Sequence, residues 1–203
     1  MKKFIISVFF ILGISTGYGQ VVAFGIGPSS LSGGSSWKSK LGGQLSIEPK
    51  WHSCGTNGIT GGLGLSMLGA SYESDYGEGN QYKGKYNLTY LIVPLLYQYY
   101  FSSNFYGEIG LQPMFLLSAK DKFTMGNETR TESIKQYLQS FNLGLPGGVG
   151  YRTASGFGAG VRATYGLLNI YKNSGDDKSR TLLIALLLSY QINSLNLFQH
   201  NKK

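Results

Sequence analysis

The chain is poor in the residues that form disulfides and metal sites. Its 203 residues include one cysteine and two histidines, and 14% of them are charged. Cys54 has no partner for an intramolecular disulfide, so strand pairing and packing must hold the fold together. Two distant histidines and one cysteine do not form a metal-ligand cluster. We therefore expect no metal and no cofactor.

Long apolar runs are also lacking beyond the first 19 residues. A transmembrane helix needs about 20 predominantly apolar residues, and no later segment has that length without glycine, proline or polar residues. Residues 1–19 begin with lysines, continue with an apolar run and end with small residues at Gly17 and Gly19. This order is typical of an export signal that is removed. We predict a signal peptide at residues 1–19 and one mature domain at residues 20–203.

The most informative segment lies at residues 141–167. On both sides of a short turn at residues 153–155, odd positions are mostly apolar, whereas even positions are mostly Gly with Asn, Thr and Arg. Successive strand side chains point to opposite faces, so the segment predicts a two-faced β-hairpin. Glycine weakens a strand unless another group packs closely against it, which predicts a crowded second face. A small closed barrel with lipid outside and a filled interior produces this pattern.

Similar alternation along the chain predicts eight strands. They lie at residues 21–28, 40–51, 57–72, 86–101, 105–120, 141–152, 156–167 and 180–192. Short links such as residues 102–104 alternate with long polar connections such as residues 73–85 and 121–135. Outer-membrane barrels have short periplasmic turns and long outer loops. We therefore predict an all-β fold, an eight-stranded antiparallel up-and-down transmembrane β-barrel with its N-terminus in the periplasm, followed by a short polar tail at residues 193–203.

Two parts of the chain resemble a known family. They read YLIVPLLYQYYF at residues 90–101 with FYGEIGLQP at 105–113, and GVGY at 148–151 with GFGAGVRATYGLLNI at 156–170. These runs are similar to paired strands of the PorT-like outer-membrane β-barrel family, which is common in Bacteroidetes. The resemblance implies an eight-stranded barrel in the outer membrane of a Gram-negative bacterium, and it brings no common catalytic residues. The polar tail departs from the usual pattern, in which the last strand ends on an aromatic residue.

The polar faces of the predicted strands supply the candidate site, because an eight-stranded barrel is only just wide enough for its own side chains. The residues expected to form a polar network in its lumen are Gln44, Glu48, Glu108, Gln112, Arg152, Arg162 and Gln191. Lys50 and Lys120 are placed on the same face. Glu108 with Arg162 is the favoured ion pair, since a buried unpaired charge is costly. The same groups would line a narrow ion path if the barrel held water.

Aromatic residues predict two interfacial girdles, as membrane barrels have. The girdle near the short turns includes Tyr97, Tyr100 and Tyr106. The girdle near the long connections includes Tyr86 and Tyr90.

The formal net charge is +8, but the basic residues are spread among turns and loops rather than forming a stripe with aromatics. This distribution argues against nucleic-acid binding. Outer-membrane lipid and lipopolysaccharide are the expected partners, an envelope protein at the outer loops is a further candidate, and we expect a monomer. His52 and Ser53 are the candidates for a general base and a nucleophile. The loop pattern places them in a periplasmic turn, so no enzymatic activity is expected.

Three functions remain open on the sequence. The first is a structural or interaction role in the envelope, with the barrel interior plugged by side chains. The second is a narrow pore or a component of a secretion assembly. The third is a secreted lipocalin-like binder, whose apolar face would point inward around a ligand.

Overall fold

The computed structural model describes residues 20–33, 37–75, 81–125, 128–172 and 178–192, with backbone alone at residues 51–53, 74–75, 81–82 and 125. The predicted signal peptide and polar tail lie outside the described residues. Within these ranges, no helix has the length and apolar character needed to cross a membrane.

The described part of the chain forms twelve β-strands and one turn of 3₁₀ helix at Lys135–Tyr137. The strands are β1 (Gln20–Ser32), β2 (Trp37–Lys38), β3 (Lys40–Cys54), β4 (Asn57–Gly61), β5 (Leu63–Asp75), β6 (Gln81–Ile92), β7 (Leu95–Tyr100), β8 (Phe105–Met125), β9 (Glu128–Ser133), β10 (Phe141–Arg152), β11 (Phe157–Gly166) and β12 (Arg180–Ile192).

Eight of these strands form a closed antiparallel ring. Hydrogen-bonded neighbours follow the order β1, β3, β5, β6, β8, β10, β11 and β12, and β12 pairs with β1 again. Gln20 lies opposite Ile192 and Ser32 opposite Arg180, so the closing pair runs along all of β1. Each ring strand corresponds to one of the eight predicted strands. The ring has a short-link end, with links at residues 55–56, 101–104 and 153–156, and a long-connection end opposite to it.

Two predicted strands are interrupted, which accounts for β4 and β7. Gly62 separates β4 from β5, and Val93 with Pro94 separates β6 from β7. Proline has no N–H to donate to a ladder, but its carbonyl still accepts from the Gly62 N–H at 2.9 Å, and the Val93 N–H donates to the Pro113 carbonyl at 2.9 Å. The strands are therefore interrupted while adjacent backbones stay hydrogen-bonded.

The long connections predicted at residues 73–85 and 121–135 are largely strand, so the prediction of loops there is wrong. Asp75 pairs with Gln81 in the β5–β6 ladder, and β8 continues to Met125 and pairs with β9. These segments extend the sheet at the long-connection end. Their sequences looked like loops because polar residues predominate there: β9 is exposed at every position, and the outer faces of β6 and β8 carry lysines.

A β-bulge divides β8 into two parts with opposite alternation. The register passes from Thr89 opposite Ser118 to Tyr90 opposite Leu116, which leaves one extra residue in β8. An extra residue exchanges the two faces of the strand beyond it. Lys120 is consequently exposed, and its predicted inward position is wrong.

The two faces of the ring differ as the hairpin at residues 141–167 predicted. Val149 and Phe157 are 62% and 63% exposed, whereas Arg162 is 3% exposed. Gly150 packs under the Tyr106 ring, where an added Cβ would lie 2.5 Å from the ring's Cζ. Exposed apolar residues of the other ring strands include Phe24, Leu41, Leu45, Met67, Ile109, Phe115, Leu186 and Leu188. This outward apolar face does not fit the lipocalin-like alternative.

The predicted aromatic girdles are correct in part. Tyr97 is exposed near the short-link end, but Tyr106 is buried inside the ring. Tyr90 is fully buried, and Tyr86 packs against the same buried core. The girdle expected at the long-connection end is therefore largely an interior aromatic cluster.

Candidate functional site

Three charged side chains meet inside the ring, and we call them the interior cluster: Glu48 on β3, Glu108 on β8 and Arg162 on β11. Arg162 Nε donates to Glu108 Oε1 at 2.6 Å, while its Nη1 and Nη2 donate to Glu48 Oε1 and Oε2 at 2.8 and 3.2 Å. All three side chains are at most 3% exposed. Since β3 and β11 are not neighbours in the ring, the guanidinium joins strands across the interior.

A glycine between Glu108 and Arg162 provides the space for the interior cluster. Gly148 on β10 lies opposite both Arg162 and Glu108 in the two ladders. An added Cβ at Gly148 would lie 2.4 Å from the Val161 carbonyl oxygen and 3.3 Å from Glu108 Oε1. A side chain here would occupy space next to the carboxylate, so glycine between the two charged residues allows them to approach each other.

Each carboxylate of the interior cluster has a second donor. Ser46 Oγ donates to Glu48 Oε1 at 2.7 Å, and Gln98 Nε2 donates to Glu108 Oε2 at 3.1 Å. Buried ion pairs offset their desolvation cost only when further hydrogen bonds satisfy the remaining polar atoms. The cluster meets this condition at both carboxylates.

The polar network continues toward the short-link end through Tyr100. The Tyr100 hydroxyl donates to Gln98 Oε1 at 3.2 Å and accepts from Arg152 Nη1 at 3.0 Å and from Lys50 Nζ at 3.1 Å. The Arg152 guanidinium also lies 4.9 Å from the centre of the Tyr106 ring. Arg152 is thereby linked to the interior cluster through two intermediate side chains.

Gln44 and Gln112 lie outside this network. Gln44 and Gln112 are buried on the inner face, and both amide heteroatoms of Gln44 and the Oε1 of Gln112 have no hydrogen-bond partner among the described residues. Gln191 is half-buried near the end of β12, where its N–H donates to the Gly156 carbonyl at 2.8 Å. Four of the seven predicted residues are therefore in one bonded network, namely Glu48, Glu108, Arg152 and Arg162.

Sequence reasoning missed Gln98, Tyr100 and Tyr106 as interior residues. Gln98 and Tyr100 occupy alternate positions of β7, and both face inward. The polar Gln98 between exposed Tyr97 and Tyr99 was the available signal. The dense aromatic composition of that segment concealed it, because tyrosine fits a membrane interface and a polar interior equally well.

The interior changes from polar to apolar along β8. Its inward residues from the short-link end are Tyr106, Glu108, Gln112, Met114 and Leu116. Beyond the polar level, a buried apolar core fills the ring. Its members include Leu31, Leu68, Leu88, Tyr90, Ile92, Met114, Leu116, Leu138, Ile170, Leu183 and Leu187.

Two core residues come from connections at the long-connection end. Leu138 follows the 3₁₀ turn and Ile170 follows β11, and they are 0% and 1% exposed. The Gln139 N–H donates to the Ile170 carbonyl at 2.7 Å, and the Lys172 N–H donates to the Tyr137 carbonyl at 3.0 Å. These bonds hold both connections together over the apolar core.

Asp121 lies farther along β8, beyond the last exposed apolar residue of that strand. The Tyr72 hydroxyl donates to its Oδ2 at 2.8 Å. Burial raises the pKa of the Asp121 carboxyl above its usual range, and the nearby Glu132 carboxylate adds to that increase in pKa. The Tyr72 hydrogen bond acts in the opposite direction.

The interactions of the interior cluster are structural, because they link strands across the ring. The hydrogen bonds of its guanidinium go to the two carboxylates, and the Ser46 hydroxyl that donates to Glu48 is buried with it. Among the described residues, no group of three or more potential ligands could hold a metal ion. His52 and Ser53 lie in the β3–β4 hairpin, opposite Ile59 and Gly58, and their side chains are outside the described part of the structure.

A closed antiparallel ring with apolar side chains outside and ion pairs inside defines a class of all-β proteins built to sit in lipid. The family model of the outer membrane protein beta-barrel domain matches residues 7–172, and the chain belongs to this family. No curated protein sequence matches the chain.

Several solved structures have similar folds. The attachment invasion locus protein Ail of Yersinia pestis has 13% identity and a TM-score of 0.47, with 86% of this chain and 99% of that chain covered. Neisserial surface protein A has 12% identity and a TM-score of 0.49, with 85% and 96% covered. The outer membrane enzyme PagL has 13% identity and a TM-score of 0.40, with 85% and 98% covered. At these identities the likeness concerns the fold alone.

Proposed function

We propose that this protein is an eight-stranded outer-membrane β-barrel with a sealed interior, and that it has a structural or interaction role in the cell envelope. Its short-link end would face the periplasm and its long-connection end the outside. Membership of the PorT-like branch, which the sequence resemblance implies, is part of this proposal. Enzymatic activity is not.

The dimensions of the apolar face support a transmembrane ring. On β12, exposed apolar or aromatic residues occupy every second position from Ile184 to Ile192. Eight steps of about 3.4 Å span roughly 27 Å, or about 20 Å across the bilayer at a tilt of about 40°. On β8 the exposed face from Phe105 to Leu117 spans about 30 Å by the same calculation. These values bracket the apolar band of about 25 Å that surrounds outer-membrane barrels.

The observation that carries the proposal of a sealed interior is the bridge that Arg162 makes between Glu48 and Glu108. A guanidinium held by carboxylates from both sides obstructs the middle of the ring, and its burial leaves no surface for passing ions. The apolar core above it, covered by Leu138 and Ile170, is a second barrier. Ions cross an apolar constriction only at a high desolvation cost.

Two measurements test this proposal. The protein extracted with detergent should migrate differently on a gel before and after boiling, because a closed barrel resists unfolding by detergent. In planar bilayers it should give no steady conductance. Recovery in the soluble fraction without heat-dependent migration would overturn the membrane assignment, and stable open channels would overturn the sealed interior.

A narrow water path is the second candidate function, because one observation favours it. Buried polar atoms without a hydrogen-bond partner in the described structure occur on Gln44, Thr60, Gln112 and Thr164. Buried polar groups usually bind one another or ordered water, so these atoms favour a hydrated level near the interior cluster. Rapid osmotic shrinkage of vesicles that contain the protein, relative to vesicles without it, would support the water path.

A further inference from the structure

A group of lysines lies on the outer face of the sheet at the long-connection end. Lys85 on β6 is directly opposite Lys122 on β8. Lys83 and Lys120 flank this pair on the same face, with Lys83 opposite Thr124 and Lys120 opposite Asn87. We call these four exposed lysines the lysine patch: Lys83, Lys85, Lys120 and Lys122.

The lysine patch carries four positive charges and has one acidic residue, Glu73, directly opposite one of them. Like charges directly opposite each other in a ladder are destabilising, and Lys85 and Lys122 are such a pair. Glu73 on β5 lies opposite Lys83, but its carboxylate is bonded to Lys38 at 2.6 Å. Within the described residues, no carboxylate oxygen lies within 4.0 Å of an ammonium nitrogen of the patch. The positive charge is therefore available to an anion from outside the protein.

A fifth lysine, Lys40, lies beside the patch. Lys40 Nζ donates to the Tyr86 carbonyl at 3.3 Å and to Asn87 Oδ1, beside the patch. Burial lowers the pKa of Lys40, and the positive charge of Lys85 lowers that pKa further. The electrostatic effect of Lys85 thus reaches beyond its own contacts.

Three lysines of the patch, Lys83, Lys85 and Lys122, line a groove of about 570 Å³. Glu73, Thr124 and Thr129 also line it, and the two threonine hydroxyls are hydrogen-bonded to each other at 3.0 Å. A single phosphate would occupy only part of this volume. The groove fits a larger head group that combines phosphates with sugar hydroxyls, since ammonium groups pair with phosphate and threonine hydroxyls exchange hydrogen bonds with sugars.

The height of the patch matches the head-group layer of a membrane. Leu117 is the last exposed apolar residue of β8 before the bulge, and Lys120 follows three residues later. Three strand residues span about 10 Å, so the ammonium groups lie just beyond the apolar band. The head groups of lipids in contact with that band lie at this level.

We propose that the lysine patch is a binding site for the phosphorylated head group of a glycolipid in the membrane leaflet at the long-connection end. This inference rests on the proposed function, because it requires the ring to span the membrane. The acyl chains of the lipid would lie along the exposed apolar face below the patch, while its phosphates occupy the groove.

The test uses the full mature chain in nanodiscs of zwitterionic phospholipid. Binding of diphosphorylated lipid A is compared with that of the same glycolipid without phosphate and with that of phosphatidylglycerol. The variant Lys85→Gln/Lys122→Gln removes two charges from the patch. Lys172→Gln/Lys178→Gln removes two exposed charges elsewhere and is the charge-matched control.

We expect the patch variant to bind diphosphorylated lipid A about tenfold more weakly than the unmodified protein and the control variant, because surface lysines each contribute to anionic lipid attraction. Binding should also weaken as salt screens the charges. Equal binding by both variants would overturn the site, and equal binding of phosphatidylglycerol would overturn its assignment to a glycolipid. If either variant loses heat-dependent gel migration, the test is repeated with Lys83→Gln/Lys120→Gln. Failure of the unmodified protein to insert into membranes would refute the proposed function instead.

Discussion

Replacing Arg162 by alanine is the most direct test of the interior cluster. The substitution removes the guanidinium that holds Glu48 at 2.8 and 3.2 Å and Glu108 at 2.6 Å. Two carboxylates then remain buried, with only Ser46 and Gln98 as direct donors. Removing one partner of a buried ion pair costs about 3–5 kcal/mol. We expect a loss of unfolding free energy of at least this size, since two carboxylates lose their counter-ion.

The assay is urea unfolding of the protein refolded into lipid vesicles, followed by the gel mobility of the folded and unfolded forms. The exposed Lys178→Ala is the control and should change the unfolding free energy by less than about 0.5 kcal/mol. The deficit of Arg162→Ala should be smaller at pH 4 than at pH 8, because protonation of the carboxylates removes the unpaired charges. A deficit below 1 kcal/mol, or one that is independent of pH, would refute the reasoning.

A compensated variant separates charge from packing. In Arg162→Met/Glu48→Gln/Glu108→Gln, the cluster is neutral and its volume is largely kept. Well-packed neutral replacements of buried ion pairs are often neutral or stabilising. This triple variant should therefore be more stable than Arg162→Ala, although it lacks all three native charges. If it is less stable, geometry rather than charge balance determines the role of the cluster.

Three further predictions concern other parts of the ring. Gly148→Ala places a Cβ 2.4 Å from a backbone carbonyl oxygen and should cost about 1–3 kcal/mol of unfolding free energy. Gly147→Ala is the control, because its Cβ would lie 3.9 Å from the nearest atom, and it should cost much less. Equal costs would contradict close packing on the inner face of β10. Because the pKa of the Asp121 carboxyl is raised in the folded state, its contribution to stability is present at low pH and is lost as the pH rises. Asp121→Asn should therefore stabilise the protein at pH 7 and not at pH 3, as measured by thermal unfolding. The opposite pH dependence would contradict this assignment. The exposed Cys54 at a short link should resist a membrane-impermeant thiol reagent in intact cells, while a Thr131→Cys variant lacking Cys54 should be labelled; the reverse pattern would invert the proposed orientation.

The fold was predictable where the two faces of a strand differ in polarity. The hairpin at residues 141–167 gave both the strands and their faces, since glycine and arginine alternate there with exposed apolar residues. On β6, by contrast, Leu88, Tyr90 and Ile92 are apolar and face inward. Because the interior is apolar at one level and polar at another, inward and outward residues do not differ in polarity along the whole strand, and periodicity analysis cannot separate the two faces. The bulge in β8 was equally hidden, because it depends on the register with β6.

Which residues of the candidate site face the interior was more predictable than which of them contact each other. Glu108 and Arg162, the favoured pair, are bonded at 2.6 Å. Glu48 was placed on the correct face, but its bidentate contact with Arg162 spans 114 residues and depends on the closure of the ring. Strand alternation assigns a side chain to a face, whereas contacts across the interior depend on ring size and strand tilt.

The pairing of β1 with β12 has a consequence for how the chain acquires its fold. Gln20 and Ile192 lie opposite each other, so the last ladder cannot form until nearly the whole chain is present. Pairings between such distant residues form slowly, and until then β1 and β12 are open edges that can pair with other chains. The same adjacency allows a circular permutation of the chain. A short linker from residue 192 to residue 20, with new termini between β5 and β6, would preserve every ladder of the ring.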